Sequence, residues 1–476
     1  MAVAIDKRPL WVILLSKSYR PLFFLLIVLA FWGILSLPTP AGLSQEGHKA
    51  IAVFFICVTL WVTSLIPLSV TSLLAIILIP FLGIMESKKA YSLFGNEAVF
   101  FILGAFILAA ALMKSGLSTR FALAVLSRFG KTPKRLLSAV YLFPAFLSFW
   151  MSEHAVAAMM FPIVVDITKV LELRPLRSDY GKALFVAMAW GCIIGGVATF
   201  LGGARNPLAV GILLETTGQS IGFFEWMVAV VPAVIIMLAV GYFVLFRFFR
   251  IDLKNVRQVE EALVHRKIEM GRITWEERLI GFIMFLTILT WIFFGKKLGL
   301  ANIALASVVF LFALDLIKWK DVEEYVNWGI ILMYGGAITL GYTLDKSGAA
   351  AWTANATIMQ WASSPLVVIA TFSFLSIALT EFMSNAAVIA ILMPVALSIA
   401  KQLGIDPKVM TLAIAVPSGL AFMLPMGTPA NAIAYSSGFL KIKDMVVPGL
   451  ILGITAWLVF ILVGVFYWPM LGLRIQ

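Results

Sequence analysis

Apolar residues run through this chain in blocks rather than at alternating or helical intervals. The blocks near 21–37, 49–66, 70–85, 98–113, 226–246, 279–294, 302–317, 327–343 and 446–468 are each bounded by charges, Pro or Gly. Each approaches the length a helix needs to cross a ~30 Å hydrocarbon layer, so the pattern predicts a polytopic helical membrane protein. The first block follows Lys7, Arg8, Lys17 and Arg20, as the apolar part of a signal peptide would. Its length, and its ending at Pro38 and Pro40 without a small-x-small cleavage site, predict a retained helix instead.

Four further apolar regions, 136–165, 183–214, 366–400 and 409–440, are interrupted. The breaks are Ser152-Glu153-His154, Gly202 to Pro207, Ser384-Asn385 and Pro425 to Asn431. A break frees backbone groups that lipid cannot satisfy, so it is tolerated only inside protein or beside water. The breaks also repeat. Adding 232 maps Gly104-Ala105 onto Gly336-Ala337, Lys114-Ser115-Gly116 onto Lys346-Ser347-Gly348, Pro133 onto Pro365, Met151-Ser152 onto Met383-Ser384, and Pro162 onto Pro394. After a shortened connection an offset of 224 pairs Gly195 with Gly419 and Gly203 with Gly427. Paired interruptions in two halves are the signature of a secondary transporter holding substrate near the midplane. Two duplicated bundles that merely packed together would place Gly and Pro on packing faces. Here the polar residues gather at the breaks.

With 62% hydrophobic residues, against roughly 45–50% apolar in soluble domains, a water-soluble enzyme is excluded. The net charge of +12 is resolved by position. The amino terminus and segments 114–135, 166–182, 247–278, 318–324 and 441–445 carry 26 Lys and Arg, and the opposite face carries 9. Positive residues favour the cytoplasmic side, which predicts a cytoplasmic amino terminus in a plasma (inner) membrane and leaves no nucleic-acid role. The basic residue belonging to neither set is Arg205. Segment 247–278 alternates acids and bases and predicts an amphipathic or solvated connecting helix, with Leu253, Val256, Leu263 and Ile268 as its apolar positions. Cys57 and Cys192 lie inside apolar runs and offer neither a disulfide framework nor a cysteine metal cluster.

Four ionisable residues stand at membrane depth: Glu153, His154, Arg205 and Glu381. Charge there is expensive and points to a site. A broken helix offers unpaired N–H groups and a positive dipole end to an anion, and its freed carbonyls suit a small cation. Ser152, Ser384, Asn385, Thr428 and Asn431 add short donors and acceptors, and Asn206 adjoins Arg205. Ser148 and Thr380 lie four residues before the two serines and are themselves related by 232, which predicts paired oxygen sites for Na+. Each hydroxyl taken singly would be read as a local bond to helix backbone, a reading the symmetry weakens. His154 is the sole histidine placed deep in the membrane, too few for a zinc hydrolase, so an enzyme is not expected. A channel suits two occluding hairpins less well than a carrier does.

Met151 to Val156 (Met-Ser-Glu-His-Ala-Val) and Met383 to Val388 (Met-Ser-Asn-Ala-Ala-Val) resemble the two Ser-Asn-Thr hairpin tips of the divalent anion:sodium symporter family. Phe422 to Gly438, containing Gly427-Thr428-Pro429, resembles that family's Gly-Thr-Pro-Pro-Asn loop, and the likeness extends over roughly residues 45–470. The resemblance implies an all-α fold of about eleven transmembrane helices plus two re-entrant hairpins in inverted repeats, a homodimer, and elevator motion of a transport part against a scaffold. Divided so, the chain has scaffold helices at 1–135, a first transport part at 136–250, a connecting helix at 251–278, second scaffold helices at 279–365 and a second transport part at 366–476.

The resemblance also implies substrates such as C4-dicarboxylates, citrate or sulfate, no covalent cofactor, and Na+ as coupling ion. By position, substrate contacts fall on Glu153, His154, Asn385, Ala386, Thr428 and Pro429, to which the residue chemistry adds Ser152, Arg205, Asn206, Ser384 and Asn431. The implied sodium sites are Ser148, Glu153 and Gly203 in one half, and Thr380, Asn385 and Gly427 in the other. The first tip reads Ser-Glu-His, the second Ser-Asn-Ala, and the first loop Gly-Ala-Arg-Asn-Pro, so sodium dependence is expected to be altered. Two readings follow. Arg205 held near Glu153 replaces the first sodium with a tethered charge, or Glu153 and His154 couple transport to protons. In a third, plainer reading His154 only donates to the anionic substrate. Exchange without sodium, and transport of sulfate or phosphate, remain the alternatives.

Overall fold

The computed structural model describes residues 10–357 and 364–475, so Lys7 and Arg8 of the basic tail lie outside the described residues. Twenty-two α-helices make up the described chain. The first half holds α1 (Leu10–Ser36), α2 (Gln45–Thr63), α3 (Leu68–Phe81), α4 (Ser87–Ser92), α5 (Glu97–Lys114), α6 (Leu117–Phe129), α7 (Pro133–Leu147), α8 (Glu153–Val170), α9 (Asp179–Gly196), α10 (Arg205–Thr217) and α11 (Phe223–Phe248). The connecting helix α12 (Arg257–Glu269) follows. The second half holds α13 (Trp275–Leu298), α14 (Leu300–Ala313), α15 (Trp319–Tyr325), α16 (Trp328–Lys346), α17 (Ala349–Ala356), α18 (Pro365–Thr380), α19 (Asn385–Leu403), α20 (Pro407–Ala415), α21 (Pro429–Ser436) and α22 (Ile442–Phe466).

Every apolar block of the sequence is a helix or part of one, and all four interrupted regions are helix pairs. The spacing of 232 governs whole elements: α2 to α8 start within two residues of that distance from α13 to α19. Proline explains part of this. Pro133 and Pro365 both stand at the first position of their helices, where the missing N–H has no partner to lose. The halves interlock as a two-fold exchange demands. Helix α3 packs on α16 as α14 packs on α5, and α8 packs on α21 as α10 packs on α19.

The sequence reading leaves α4, α6, α15 and α17 in loops, and the structure corrects it. These helices are short, and α6 is apolar on one face only, burying Ala122, Leu123 and Leu126 while exposing Phe121, Arg128 and Phe129. Such a pattern escapes a search for continuous apolar blocks. The helix expected within 247–278 is α12, which buries Val259 and Leu263 against α6 and exposes Ile268. Arg120 of α6 ties down the turn that follows, donating to Glu277 Oε1 at 3.0 Å and to the Gly271 carbonyl at 2.8 Å.

Helix α9 and the segment after it form the centre of the core: every residue from Ala183 to Gly203 is buried. The close seat of α9 on α7 needs glycine, because a Cβ at Gly195 would collide with the Ala145 carbonyl. By contrast α11, α13 and α22 turn large apolar side chains outward, among them Phe243, Phe293 and Phe466. These three helices are each long and apolar enough to cross a bilayer.

Candidate functional site

Four helix ends converge in the middle of the molecule: the starts of α8, α10, α19 and α21. Side-chain caps mark two of these starts, α8 and α21. Ser152 caps α8, accepting from Ala155 N at 3.3 Å, and Glu153 N donates to the Gly202 carbonyl at 2.9 Å. Thr428 caps α21, accepting from Asn431 N at 3.2 Å. The two loops are pinned by asparagines in identical fashion. Asn206 Nδ2 donates to the carbonyls of Gly196 (3.3 Å) and Thr199 (2.7 Å), and Asn431 Nδ2 donates to those of Ala421 (3.1 Å) and Leu424 (3.2 Å).

This equivalence corrects the loop register from 224 to 225. Gly202 matches Gly427, Gly203 matches Thr428, and Asn206 matches Asn431. Identical glycines in a Gly-rich stretch had favoured the neighbouring offset. In the true register the first loop lacks the capping hydroxyl of Thr428 and carries Arg205 two residues further on.

Arg205 is 2% exposed and Glu153 is fully buried. Arg205 Nη1 donates to Glu153 Oε1 at 2.9 Å and Nη2 to Oε2 at 3.3 Å, a two-point pair. With the Asn385 amide oriented so that its nitrogen donates to the Gly427 carbonyl (3.0 Å) and to Thr380 Oγ1 (2.7 Å), its oxygen accepts from Arg205 Nη1 at 3.2 Å. The guanidinium therefore bridges the two tips. It lies flat against Gly419, where any Cβ would overlap it, and against Gly203. The helix dipole opposes a cation at the start of α10 and favours an anion at the start of α8, so Glu153 compensates Arg205 on both counts.

A cavity of about 680 Å³ opens beside these tips. Of the substrate candidates, His154, Arg205, Ser384, Asn385, Ala386, Thr428 and Pro429 line it. Ser152, Glu153, Asn206 and Asn431 lie behind its wall. Ser152, Glu153 and the two Nδ2 groups are engaged as described above, whereas Asn206 Oδ1 and Asn431 Oδ1 are buried with no hydrogen-bond partner among the described residues. Of the sodium candidates, Gly427 and Asn385 reach the cavity. Thr380 Oγ1 donates to the Ser418 carbonyl at 2.6 Å, while Ser148 and Gly203 are buried in the first half. Ser148 Oγ has no oxygen or nitrogen partner and borders the Cys192 thiol.

Sequence reasoning missed the opposite wall, formed by Ser64 at the end of α2, Ser69 in the first turn of α3 and Asn327 at the start of α16. These residues sit at ordinary helix ends and carry no motif; only packing brings them to the tips. Glu381, singled out as a buried charge, has a different task. Its carboxylate accepts from the N–H groups of Phe422 (2.7 Å), Met423 (3.0 Å) and Leu424 (2.8 Å), shaping the loop from within.

The chain matches the model of the sodium:sulfate symporter transmembrane region over residues 17–474. It belongs to the sodium:sulfate symporter family. Membership makes the chain a membrane transporter of the divalent-anion class rather than an enzyme. Among curated relatives it is 29% identical to the sodium-dependent dicarboxylate transporter SdcS of Staphylococcus aureus, over 97% of this chain and 93% of that protein. It is 28% identical to SdcS of Staphylococcus saprophyticus, over 94% and 90%. Among solved structures, Neisseria gonorrhoeae MtrF aligns over 94% of both chains with a TM-score of 0.57 at 13% identity. The Alcanivorax borkumensis YdaH transporter aligns over 82% of this chain and 88% of its own with a TM-score of 0.51 at 15% identity. At such identities these two structures speak to the fold.

Proposed function

We propose that this chain carries small dicarboxylates across the membrane by an elevator movement, with the Arg205 guanidinium standing in for the first-half sodium ion. The observation that carries this reading is the buried two-point pair of Arg205 with Glu153, which also reaches Asn385 of the opposite tip. Substrate carboxylates then meet His154, Ser384, Asn385 and Thr428, and one Na+ is left to the second-half oxygen atoms of Thr380 and Gly427, with the Asn385 amide turning its oxygen from Arg205 to the ion when it binds. The sodium-dependent dicarboxylate relatives support the substrate class. The scaffold and transport division is supported by the cavity itself, whose walls are the tips on one side and α2, α3 and α16 on the other.

In this reading the chain makes eleven crossings with two hairpins entering from opposite faces, its amino terminus is cytoplasmic, and the cavity opens on the basic-rich face. A homodimer completes it, resting on the family resemblance. A proton-coupled alternative draws on His154 Nδ1, 4.0 Å from Glu153 Oε1. Because Glu153 already has both oxygens on Arg205, His154 serves better as a donor to substrate.

Proteoliposome uptake of radiolabelled succinate, citrate and sulfate under separate sodium, proton and counter-substrate gradients tests the proposal. The expected result is saturable succinate uptake with counterflow and a hyperbolic dependence on sodium. Arg205→Ala should weaken succinate affinity and make the sodium dependence sigmoidal as Glu153 regains a free cation. Unchanged affinity together with unchanged sodium dependence in that variant would refute the tethered-charge reading.

A further inference from the structure

Helices α6 and α7 meet at a tight turn, and a groove of about 930 Å³ runs between them. Arg128, Lys131 and Arg135 line it at the junction end: the last turn of α6, the turn itself and the first turn of α7. All three are exposed, and none forms an ion pair among the described residues. Away from the junction the lining is apolar. Phe121, Leu142 and Phe146, all half-exposed, stand roughly 10–16 Å along the two helices from the charges, at 1.5 Å per residue.

The fold does not require the charges. In the second half the positions related by 232 are Gln360, Ser363 and Val367, none of them basic. Nor does packing within the chain account for three half-exposed aromatic or aliphatic side chains leading away from a cationic cluster. A cationic end and an apolar trough together match an amphiphile with an anionic head, and basic pockets between helices at the cytoplasmic face are suited to anionic lipid headgroups.

We propose that this groove is a binding site for one anionic phospholipid, its headgroup phosphate held by Arg128, Lys131 and Arg135 and an acyl chain lying along Phe121, Leu142 and Phe146. Because α7 is the first arm of the hairpin that carries Glu153, the lipid braces the joint between that hairpin and the helix before it.

The test uses the full chain purified in detergent, with phosphatidylglycerol, phosphatidylcholine or inorganic phosphate titrated in and binding read by native mass spectrometry. Phosphatidylglycerol should bind and phosphatidylcholine should not. The variant Arg128→Gln/Lys131→Gln/Arg135→Gln should bind phosphatidylglycerol about a hundredfold more weakly, as expected for losing three cations beside an anionic headgroup. Arg174→Gln/Arg177→Gln, on the connection of α8 and α9, should bind like the unaltered chain. Equal loss in that control, retention by the triple variant, or displacement of the lipid by millimolar inorganic phosphate each overturns the proposal. A photoactivatable phosphatidylglycerol on the unaltered chain gives an arm independent of any substitution. Labelling should concentrate on 121–146, and labelling spread evenly over α11, α13 and α22 would overturn the site.

Discussion

At the scale of single residues, the arrangement turns on a buried charge that cannot stand alone. Glu153 and Arg205 are both removed from water, and each leaves the other uncompensated if deleted. Breaking such a pair from one side costs about 3–5 kcal/mol, whereas replacing both partners by neutral groups of similar volume is often tolerated. Arg205→Met is therefore expected to lower thermal stability sharply, and Glu153→Gln/Arg205→Met to recover much of the loss. Unfolding curves of both variants in detergent check this; a double variant less stable than the single one would show that the pair does not act as a unit. Glu381 makes the opposite lesson. It was equally conspicuous in the sequence, yet three backbone N–H groups satisfy it and it shapes a loop. Residue type flagged both carboxylates, and only their partners told an ion-pair role from an architectural one.

At the scale of elements, the interrupted helices were legible because polar and Gly/Pro runs inside apolar blocks have few physical explanations in a membrane. Their starts follow from local chemistry, namely Pro133 and Pro365 at first helical positions and Ser152 and Thr428 as caps. The register between loops was not legible, since it depends on which carbonyls Asn206 and Asn431 reach. Nor were the short helices α4, α6, α15 and α17, whose apolar faces are complete only when a neighbour covers them. Packing between elements makes its own prediction. The approach of α9 to α7 leaves no room at Gly195 for a methyl group. Gly195→Ala should destabilise the protein by about 1–3 kcal/mol, the range for overpacking a well-filled core, seen as a lowered melting temperature. An unchanged melting temperature would mean that the two helices separate freely.

At the scale of the whole molecule, two interlocked halves place the tips of both beside one cavity. In the proposed topology the distribution of basic residues assigns its sides. The exposed Gln219, on the connection of α10 and α11, falls outside in this topology, and the exposed His265 of α12 falls inside. A membrane-impermeant maleimide should label Gln219→Cys in intact cells and His265→Cys only after permeabilisation. The native Cys57 and Cys192 are buried and should stay silent. Labelling of His265→Cys in intact cells would invert the topology and with it the direction in which the cavity opens.

The sequence by itself determined the membrane class, the repeat and the four places where helices break, because each of these follows from one-dimensional signals: block length, a constant offset, and polar residues where lipid forbids them. Tertiary structure alone decided which of the marked residues face the cavity. Ser152 and Ser384 occupy equivalent positions, but one hydroxyl caps a helix and the other lines the cavity. Arg205 and Glu153 are 52 residues apart, and no local pattern says that a guanidinium will reach a particular carboxylate. Side-chain partners are chosen by the packing of distant segments, and that choice separates the residues that line the cavity from those that support its wall.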